Sequence, residues 1–176
     1  ENLDIKILYK TTSDLHQAQY EMLIVDYKNT PQIQFVIETD FKQNVISIIK
    51  PFKSVFFIVD DNLFVAPFTI SEIDQILNKE PKAIGFSLRL GTNINYCYPI
   101  SCDQTIPDFE TKNQQYLKFL WVDGKGDFGY PIELSSSVYR LKEFLAIISK
   151  NRFTNPNSFE ASLDVIKSKF KRSHPY

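Results

Sequence analysis

The feature that most constrains this chain is a short apolar run that ends abruptly in acidic residues. Residues 55–59 are all aromatic or β-branched, which predicts a strand buried on both faces. Asp60, Asp61 and Asn62 follow it directly. Ligands of open α/β sheets bind at the carboxyl ends of strands, so this cluster is a candidate binding site. The alternative is a simple turn, because Asp and Asn side chains often hydrogen-bond to the backbone of turns.

The same three residues have the chemistry of a metal site. Carboxylate and amide oxygens are hard ligands that suit a divalent cation such as Mg²⁺ or Mn²⁺. The phosphates of a bound ligand would supply further oxygens. Two interpretations of Asp60, Asp61 and Asn62 therefore stand side by side, a metal and phosphate site or a turn that closes a strand.

The first third of the chain alternates between the periodicities of strands and helices. Strands are predicted over residues 4–9, 33–37 and 55–59, and helices over residues 14–27 and 40–49. Such alternation is typical of a largely parallel sheet with helical crossovers. We therefore expect a three-layer α/β/α sandwich in which the apolar run forms the central strand.

The remainder of the chain alternates less regularly and is richer in loops. Its predicted elements are a helix over residues 71–78, strands over 83–90 and 116–122, and helices over 142–150 and 158–170. All five glycines fall between Gly85 and Gly129. Backbone freedom is therefore concentrated in the middle of the chain, downstream of the two aspartates.

Composition and charge narrow the range of functions. The chain has 176 residues, 43% of them hydrophobic, which suits one globular domain spanning residues 1–176. Its net charge of −1 argues against nucleic acid as a partner, because such domains are usually basic. No apolar run is long enough for a transmembrane segment. The first residues do not resemble a signal peptide, and a targeting segment that was removed is the alternative.

The two cysteines bear on the cellular compartment. Cys97 and Cys102 have no histidine nearby, which argues against a zinc site. We expect packing thiols in a reducing compartment, with a disulfide as the alternative. The predicted location is the cytoplasm, either free or peripheral to a membrane.

A second candidate site lies near the end of the strand predicted over residues 83–90. Arg89 is followed by Asn93 and Tyr96. An arginine at a strand end can pair with a phosphate or a carboxylate of a ligand. The alternative is a structural salt bridge within the protein.

A third candidate site combines aromatic rings with a carboxylate. Trp121 precedes a glycine-rich loop that carries Asp127, Phe128 and Tyr130. Sugars stack their apolar faces on aromatic rings, while their hydroxyl groups bond to acids. The alternative is a core tryptophan followed by a turn that needs glycine.

Four motifs occur in a recognisable order along the chain. They are FIVDD at residues 57–61, GFSLRLGTNINYCY at 85–98, GDFGYP at 126–131 and NPNSFE at 155–160. This order resembles a bacterial group related to family 2 glycosyltransferases, which have the nucleotide-diphospho-sugar transferase (GT-A) fold. The likeness extends over about residues 4 to 166, and it implies that the chain starts at the second strand of that fold. Either the sequence is a fragment that lacks the first strand and helix, or the domain has lost part of its donor site.

The resemblance also implies roles for the acidic strand end. Asp60 and Asn62 would be the two ends of an Asp-x-Asp element, which holds a divalent cation (Mn²⁺ or Mg²⁺) and the donor diphosphate. Asn62 departs from that pattern, since it supplies only a neutral oxygen. Metal binding would then depend mainly on Asp60 and Asp61.

The implied activity is transfer of a sugar from a nucleotide-sugar donor to a carbohydrate or lipid-linked acceptor. Asp60, Asp61 and Arg89 are the predicted donor-binding residues. Asp127 is the predicted general base, because it lies away from the metal in a loop that can close over a sugar. Asp123, four residues earlier in the same loop, is the alternative base. The predicted acceptor-binding residues are Trp121, Phe128 and Tyr130. The alternative is a non-catalytic module of the same fold that binds a glycan or a protein partner, and both Asn62 and the missing first strand favour it.

Overall fold

The computed structural model of the protein describes residues 3–112 and 115–176. The chain divides into two compact units, Glu1–Pro51 and Phe52–Tyr176. Each unit is described by itself, and their assembly into a single domain stays a prediction. Within the described ranges, no helix has the length and apolar character that a bilayer span requires.

The first unit consists of two strands and two helices in alternation. These elements are β1 (Ile5–Tyr9), α1 (Asp14–Asp26), β2 (Ile33–Ile37) and α2 (Phe41–Ile49). The two strands pair in parallel, with Ile5 opposite Ile33 and Tyr9 opposite Ile37. This unit confirms the predicted strand–helix–strand–helix order, and the element boundaries agree to within a residue or two.

Local capping explains why these boundaries were predictable. The Ser13 hydroxyl accepts a hydrogen bond from the backbone N–H of His16 at the start of α1. The Asp40 carboxylate accepts one from the backbone N–H of Gln43 at the start of α2. Such side chains satisfy N–H groups that have no partner in the first turn of a helix.

The second unit is built around a three-stranded antiparallel sheet. Its strands are β3 (Ser54–Phe56), β4 (Phe86–Ser87) and β9 (Ser137–Arg140), in the spatial order β3–β9–β4. Opposite Val138 of β9 lie Phe56 on one side and Phe86 on the other. The centre of the sheet is therefore a segment from late in the chain that the sequence patterns did not indicate.

The apolar run of residues 55–59 is not the central strand that was predicted. Its strand ends at Phe56 and lies at an edge of the described sheet, paired with β9 alone. Ile58 is exposed, whereas Phe57 contacts the rings of Phe144 and Phe159. Part of the run is therefore half-buried by packing against helices beyond the end of the strand. It is not buried as the central strand of a sheet.

The mixed α/β class is confirmed, whereas a mostly parallel sheet is wrong for the described residues. Of the five strand pairings that they contain, only the pairing of β1 with β2 is parallel. The other elements of the second unit are α3 (Ile70–Lys79), β5 (Tyr96–Cys97), β6 (Cys102–Asp103), β7 (Glu110–Lys112), β8 (Tyr116–Lys118), α4 (Leu141–Ile148) and α5 (Pro156–Ile166). The strands predicted over 83–90 and 116–122 are thus shorter in the structure. Two 3₁₀ turns, Trp121–Asp123 and Gly126–Gly129, follow β8.

The core of the second unit fixes the segments that lead into the candidate site. Ile73 and Leu77 of α3 pack with Val138 of β9, and Phe86 of β4 packs against this cluster. Burying such side chains stabilises a fold by about 1.5–3 kcal/mol each. The end of β4, and therefore the segment that carries Arg89, is held on this core.

Candidate functional site

The residues just after the apolar run form a tight turn, residues 59–62, which we call the strand-end turn. The backbone N–H of Asn62 donates to the Val59 carbonyl at 3.2 Å. The backbone N–H of Val59 donates to the side-chain oxygen of Asn62 at 3.1 Å. Asn62 therefore closes the turn, as in the structural interpretation of this motif. Its amide oxygen keeps one lone pair for a ligand.

Asp60 and Asp61 are both exposed in the strand-end turn. Within the described ranges, no group of three or more His, Cys, Asp or Glu residues is arranged to hold a metal ion. Mg²⁺ commonly binds through only one or two carboxylates together with substrate phosphates. Two exposed carboxylates beside an amide oxygen fit that requirement, so the metal role stays a prediction.

Asp127 lies in a second polar turn, residues 124–130, which we call the Asp127 loop. Arg89 Nη1 donates to Asp127 Oδ1 at 2.7 Å, and this contact is an ion pair. Gln104 Nε2 donates to Asp127 Oδ2 at 3.0 Å. The Gln104 side-chain oxygen accepts from the backbone N–H of Asp127 at 2.8 Å. Gln104 thus holds both the carboxylate and the backbone of this residue.

The structure brings two of the predicted site residues, Arg89 and Asp127, into direct contact. Arg89 and Asp127 are separated by 38 positions in sequence and form one ion pair. Among the described residues, no hydrogen bond or ion pair joins Asp60 or Asp61 to either of them. The predicted cleft that would unite all four stays a prediction.

Glycine and a buried ring give the Asp127 loop its shape. Gly124 and Gly129 approach each other so closely that a Cβ on Gly124 would collide with the backbone of Phe128. Gly126 adopts φ +55°, which disfavours any side chain. Phe128 is fully buried, with its ring against Phe119 at 5.4 Å between centroids. The loop is therefore anchored to the core at the residue next to Asp127.

Arg89 is positioned by the end of β4. The Ser87 hydroxyl oxygen accepts hydrogen bonds from the backbone N–H groups of Arg89 and Leu90, each at 3.2 Å. The side chain of Arg89 is 31% exposed, and that of Asp127 is 12% exposed. Apart from its contact with Asp127, the guanidinium has no hydrogen-bond partner among the described residues. Its remaining N–H groups are available to an anion.

Two of the three predicted acceptor-binding rings belong to the core. Trp121 is only 3% exposed, and its Nε1 donates to the His174 carbonyl at 2.6 Å. Phe128 has no exposed surface. Neither ring presents an exposed face on which a sugar could stack in this structure, because both side chains are buried. Their predicted stacking role is corrected to a structural one.

Tyr130 keeps part of its surface at the edge of the loop. Its ring is half-buried, and Lys167 Nζ lies 5.7 Å from the ring centroid. Burial raises the pKa of the Tyr130 hydroxyl well above its usual range, and the nearby charges of Glu160 and Asp164 raise it further. The tyrosine is therefore a neutral hydroxyl at physiological pH, able to donate or accept a hydrogen bond.

Sequence patterns missed one carboxylate close to this site. Glu133 is 3% exposed, and its carboxylate accepts hydrogen bonds from the Ser135 backbone N–H and the Ser137 hydroxyl. The Tyr139 hydroxyl accepts from the Glu133 backbone N–H at 2.8 Å and donates to the Glu133 carbonyl at 3.0 Å. The available signal was a single acid between two apolar residues, Ile132 and Leu134.

A cavity of about 150 Å³ opens beside β4 and the β7–β8 hairpin. Ser87 and Leu90, the neighbours of Arg89, line it together with the rings of Phe109 and Phe119. Small-molecule sites usually have about 300–1,000 Å³, so this space suits a single ring and not a whole nucleotide-sugar.

One known protein is similar to this chain over nearly the whole length of the chain. The chain is 29% identical over 193 residues to the bifunctional glycosyltransferase pgtA of Dictyostelium discoideum, and the match covers 98% of this chain. This chain is similar to a glycosyltransferase. It spans about a quarter of the length of that relative (25%). No protein-family model matches the chain, and no solved structure gives a significant match.

The match supports the glycosyltransferase part of the resemblance drawn from the motifs. It comes from Dictyostelium discoideum, so a bacterial origin is not confirmed.

Proposed function

We propose that this protein transfers a sugar from a nucleotide-sugar donor to a carbohydrate or lipid-linked acceptor. The observation that carries the proposal is the similarity of nearly the whole chain to a protein named as a glycosyltransferase. The contact between Arg89 and Asp127 indicates which groups of this chain would act. Binding of both substrates is assigned to the second unit, because it contains all the candidate residues.

Arg89 is the proposed contact for the donor diphosphate. A guanidinium binds phosphate oxygens through paired N–H groups, and Arg89 has such groups to spare on a partly exposed side chain. Asp60 and Asp61, with the Asn62 oxygen, would hold a divalent cation beside the same diphosphate. When bound, that cation would neutralise the negative charge of the leaving group.

Asp127 is the proposed general base for the acceptor hydroxyl. Each of its two carboxylate oxygens receives one hydrogen bond from a side chain. An ionised carboxylate has about four acceptor positions, so it can still accept a bond from the acceptor hydroxyl. Because one guanidinium serves both Asp127 and the donor, donor binding would loosen the ion pair and make the carboxylate a better proton acceptor.

For the fold and the enzyme family, the proposal is a GT-A enzyme related to family 2 glycosyltransferases. The order β1–α1–β2–α2, with β1 and β2 in parallel, supports this assignment, because alternating strands and helices build the parallel part of such α/β folds. The small antiparallel sheet of the second unit would then represent the acceptor side.

A non-catalytic module is the second candidate function. Two observations favour it, namely that Asn62 uses its amide oxygen to close a turn and that both Asp127 oxygens are engaged. Such a module would bind a glycan or a protein partner without turnover.

Isothermal titration calorimetry with UDP-sugars and GDP-sugars, with and without Mn²⁺, tests the proposal. We expect saturable binding that Mn²⁺ strengthens and that Arg89→Ala weakens by about tenfold or more, as for a lost charge-assisted hydrogen bond. Arg152→Ala, at an exposed arginine of the same unit, should leave binding unchanged. Absence of binding to every nucleotide-sugar would contradict the donor assignment, and binding without any turnover would favour the module.

A further inference from the structure

The two cysteines lie directly opposite each other in a small hairpin. Cys97 in β5 pairs with Cys102 in β6, and the connection between them is residues 98–101. Opposed residues in an antiparallel pair have Cα atoms about 4.5–5.5 Å apart, which falls within the range of about 4.4–6.8 Å that disulfides span. Their side chains also point to the same side of the hairpin.

The two thiols differ in access to solvent. Both cysteines are free, and Cys97 is buried whereas Cys102 is exposed. An exposed thiol beside a buried one is the arrangement in which the first reacts with an oxidant and the second resolves the product.

We propose that Cys97 and Cys102 form a reversible disulfide by exchange with a small-molecule disulfide such as oxidised glutathione. The Cys102 thiolate attacks one sulfur of that disulfide, which breaks its S–S bond and releases one small thiol. The Cys97 thiolate then attacks Cys102 Sγ in the mixed disulfide and releases the second small thiol. The two protein thiols lose two electrons and two protons, which the small disulfide takes up as two thiols.

The hairpin is physically connected to the Asp127 loop. A Cβ placed on Gly126 would lie 3.3 Å from Cys97 Sγ, so this thiol packs against the residue before Asp127. Two residues after Cys102, the backbone N–H of Gln104 donates to the Asn95 carbonyl and continues the ladder. The disulfide would therefore lock the strand pair that presents Gln104 to Asp127.

Gln104 provides a direct hydrogen-bonded link between the cysteine hairpin and the Asp127 loop. Its Nε2 donates to the carbonyls of Ile94 and Tyr96 as well as to Asp127. The same side chain thus ties the two sides of the hairpin to the Asp127 loop. Oxidation should slow the opening of both segments, because a cross-link restricts the states to which a short loop can open.

The test is a redox titration of the folded protein in glutathione buffers, followed by thiol alkylation and intact-mass measurement. We expect one transition from a doubly alkylated to an unalkylated monomer, without stable glutathione adducts. In Cys97→Ser, with Cys97→Ala as a second variant, a mixed disulfide with glutathione should accumulate at Cys102. In Cys102→Ser, Cys97 should stay reduced over the same range. Persistent adducts on the wild-type protein, or two thiols unchanged in the most oxidising buffer, would overturn the pairing.

Hydrogen–deuterium exchange of the same samples tests the link to Asp127. Oxidation should slow exchange in residues 95–104 and at the Asp127 amide by about tenfold or more, and added dithiothreitol should reverse the change. The Cys102→Ser protein should show no such response. If exchange at Asp127 were the same in the oxidised and reduced proteins, the proposed link to the loop would be refuted. Neither readout depends on sugar transfer.

Discussion

The strand-end turn and the Asp127 loop both present aspartates on a turn, yet they are built in opposite ways. Asn62 closes the strand-end turn through contacts with Val59, three residues away. Asp127 is held by Gln104 and Arg89, which are 23 and 38 positions away. The first turn is a local structure, whereas the second depends on the folding of the whole unit.

The two turns also differ in how much of their surroundings is buried. Leu63 and Val65, just after the strand-end turn, are 88% and 96% exposed, whereas Phe128 in the Asp127 loop is fully buried. A side chain fixed by packing and hydrogen bonds is pre-organised for chemistry, while an exposed pair of carboxylates is completed by its ligand. On this basis we propose that proton transfer would occur at the Asp127 loop, and that the strand-end turn, with help from Arg89, would bind the cation and the diphosphate.

The largest expected effect is on catalysis. Asp127→Asn should lower the rate of sugar transfer by about 10²–10⁴, because a general base is lost. The measurement is product formation from a nucleotide-sugar that calorimetry has shown to bind. Asp123→Asn is the matched control, since Asp123 is exposed and lies four residues earlier. Equal losses in both variants would mean that the loop matters only for its structure.

The second prediction concerns the free energy of unfolding and compares the two turns directly. Phe128→Ala should lower the free energy of unfolding by about 3–5 kcal/mol, as for other buried aromatic residues. Val65→Ala should change it by less than about 0.5 kcal/mol, as is usual for exposed sites. Urea unfolding of both variants measures the contrast. Similar values for the two would show that the Asp127 loop is not anchored as described.

The third prediction concerns stability at alkaline pH and rests on Tyr139, a buried tyrosine of β9. Burial, reinforced by the charge of Glu133, raises the pKa of Tyr139 above its usual 10.0. Above pH 10 the unfolded chain therefore loses this proton while the folded protein keeps it, so stability is present below that pH and falls as pH rises. The expected slope for one such group is about 1.4 kcal/mol per pH unit.

Tyr139→Phe tests this slope by unfolding measurements between pH 9 and 11. The variant should be less stable at pH 7, by about 1–3 kcal/mol, because the Glu133 backbone groups lose their partner. Its stability should nevertheless fall less steeply with pH than that of the wild-type protein. An unchanged slope would mean that Tyr139 does not titrate as a buried group.

The smallest stability effect is expected at the strand-end turn. Asp61→Asn should alter the free energy of unfolding by less than about 0.5 kcal/mol, because the side chain is exposed. It should still weaken the binding of Mn²⁺ in the presence of a nucleotide-sugar. Asp108→Asn, at another exposed acid of the unit, should affect neither property. Unaltered Mn²⁺ binding in Asp61→Asn would remove the metal role from this turn.

The parts of the fold that were predictable are those fixed by neighbours in sequence. Ser13 and Asp40 cap the two helices of the first unit through residues three positions ahead. The amide of Asn62 closes its turn over the same distance. In each case the residue type carries its structural consequence within one turn of chain.

The parts that were mispredicted depend on long-range pairing. β9 is short and begins after Ser135 and Ser136, and only its pairing with β3 and β4 makes it the central strand. Phe57 packs against a helix and does not lie within a strand. A short apolar run looks the same in both cases, so the local sequence pattern could not distinguish them. Asp127 and Arg89 were both singled out, but their ion pair could be found only in the folded chain.

Hydrogen–deuterium exchange with and without a nucleotide-sugar, measured in the presence of Mn²⁺, tests the central claim most directly. We expect slower exchange at the strand-end turn and at residues 87–91, because the proposal places the donor diphosphate there. Exchange in the Asp127 loop should become faster, since the donor draws Arg89 away from Asp127. Protection confined to other parts of the second unit, with no change at Arg89 or Asp127, would contradict the assignment of both sites.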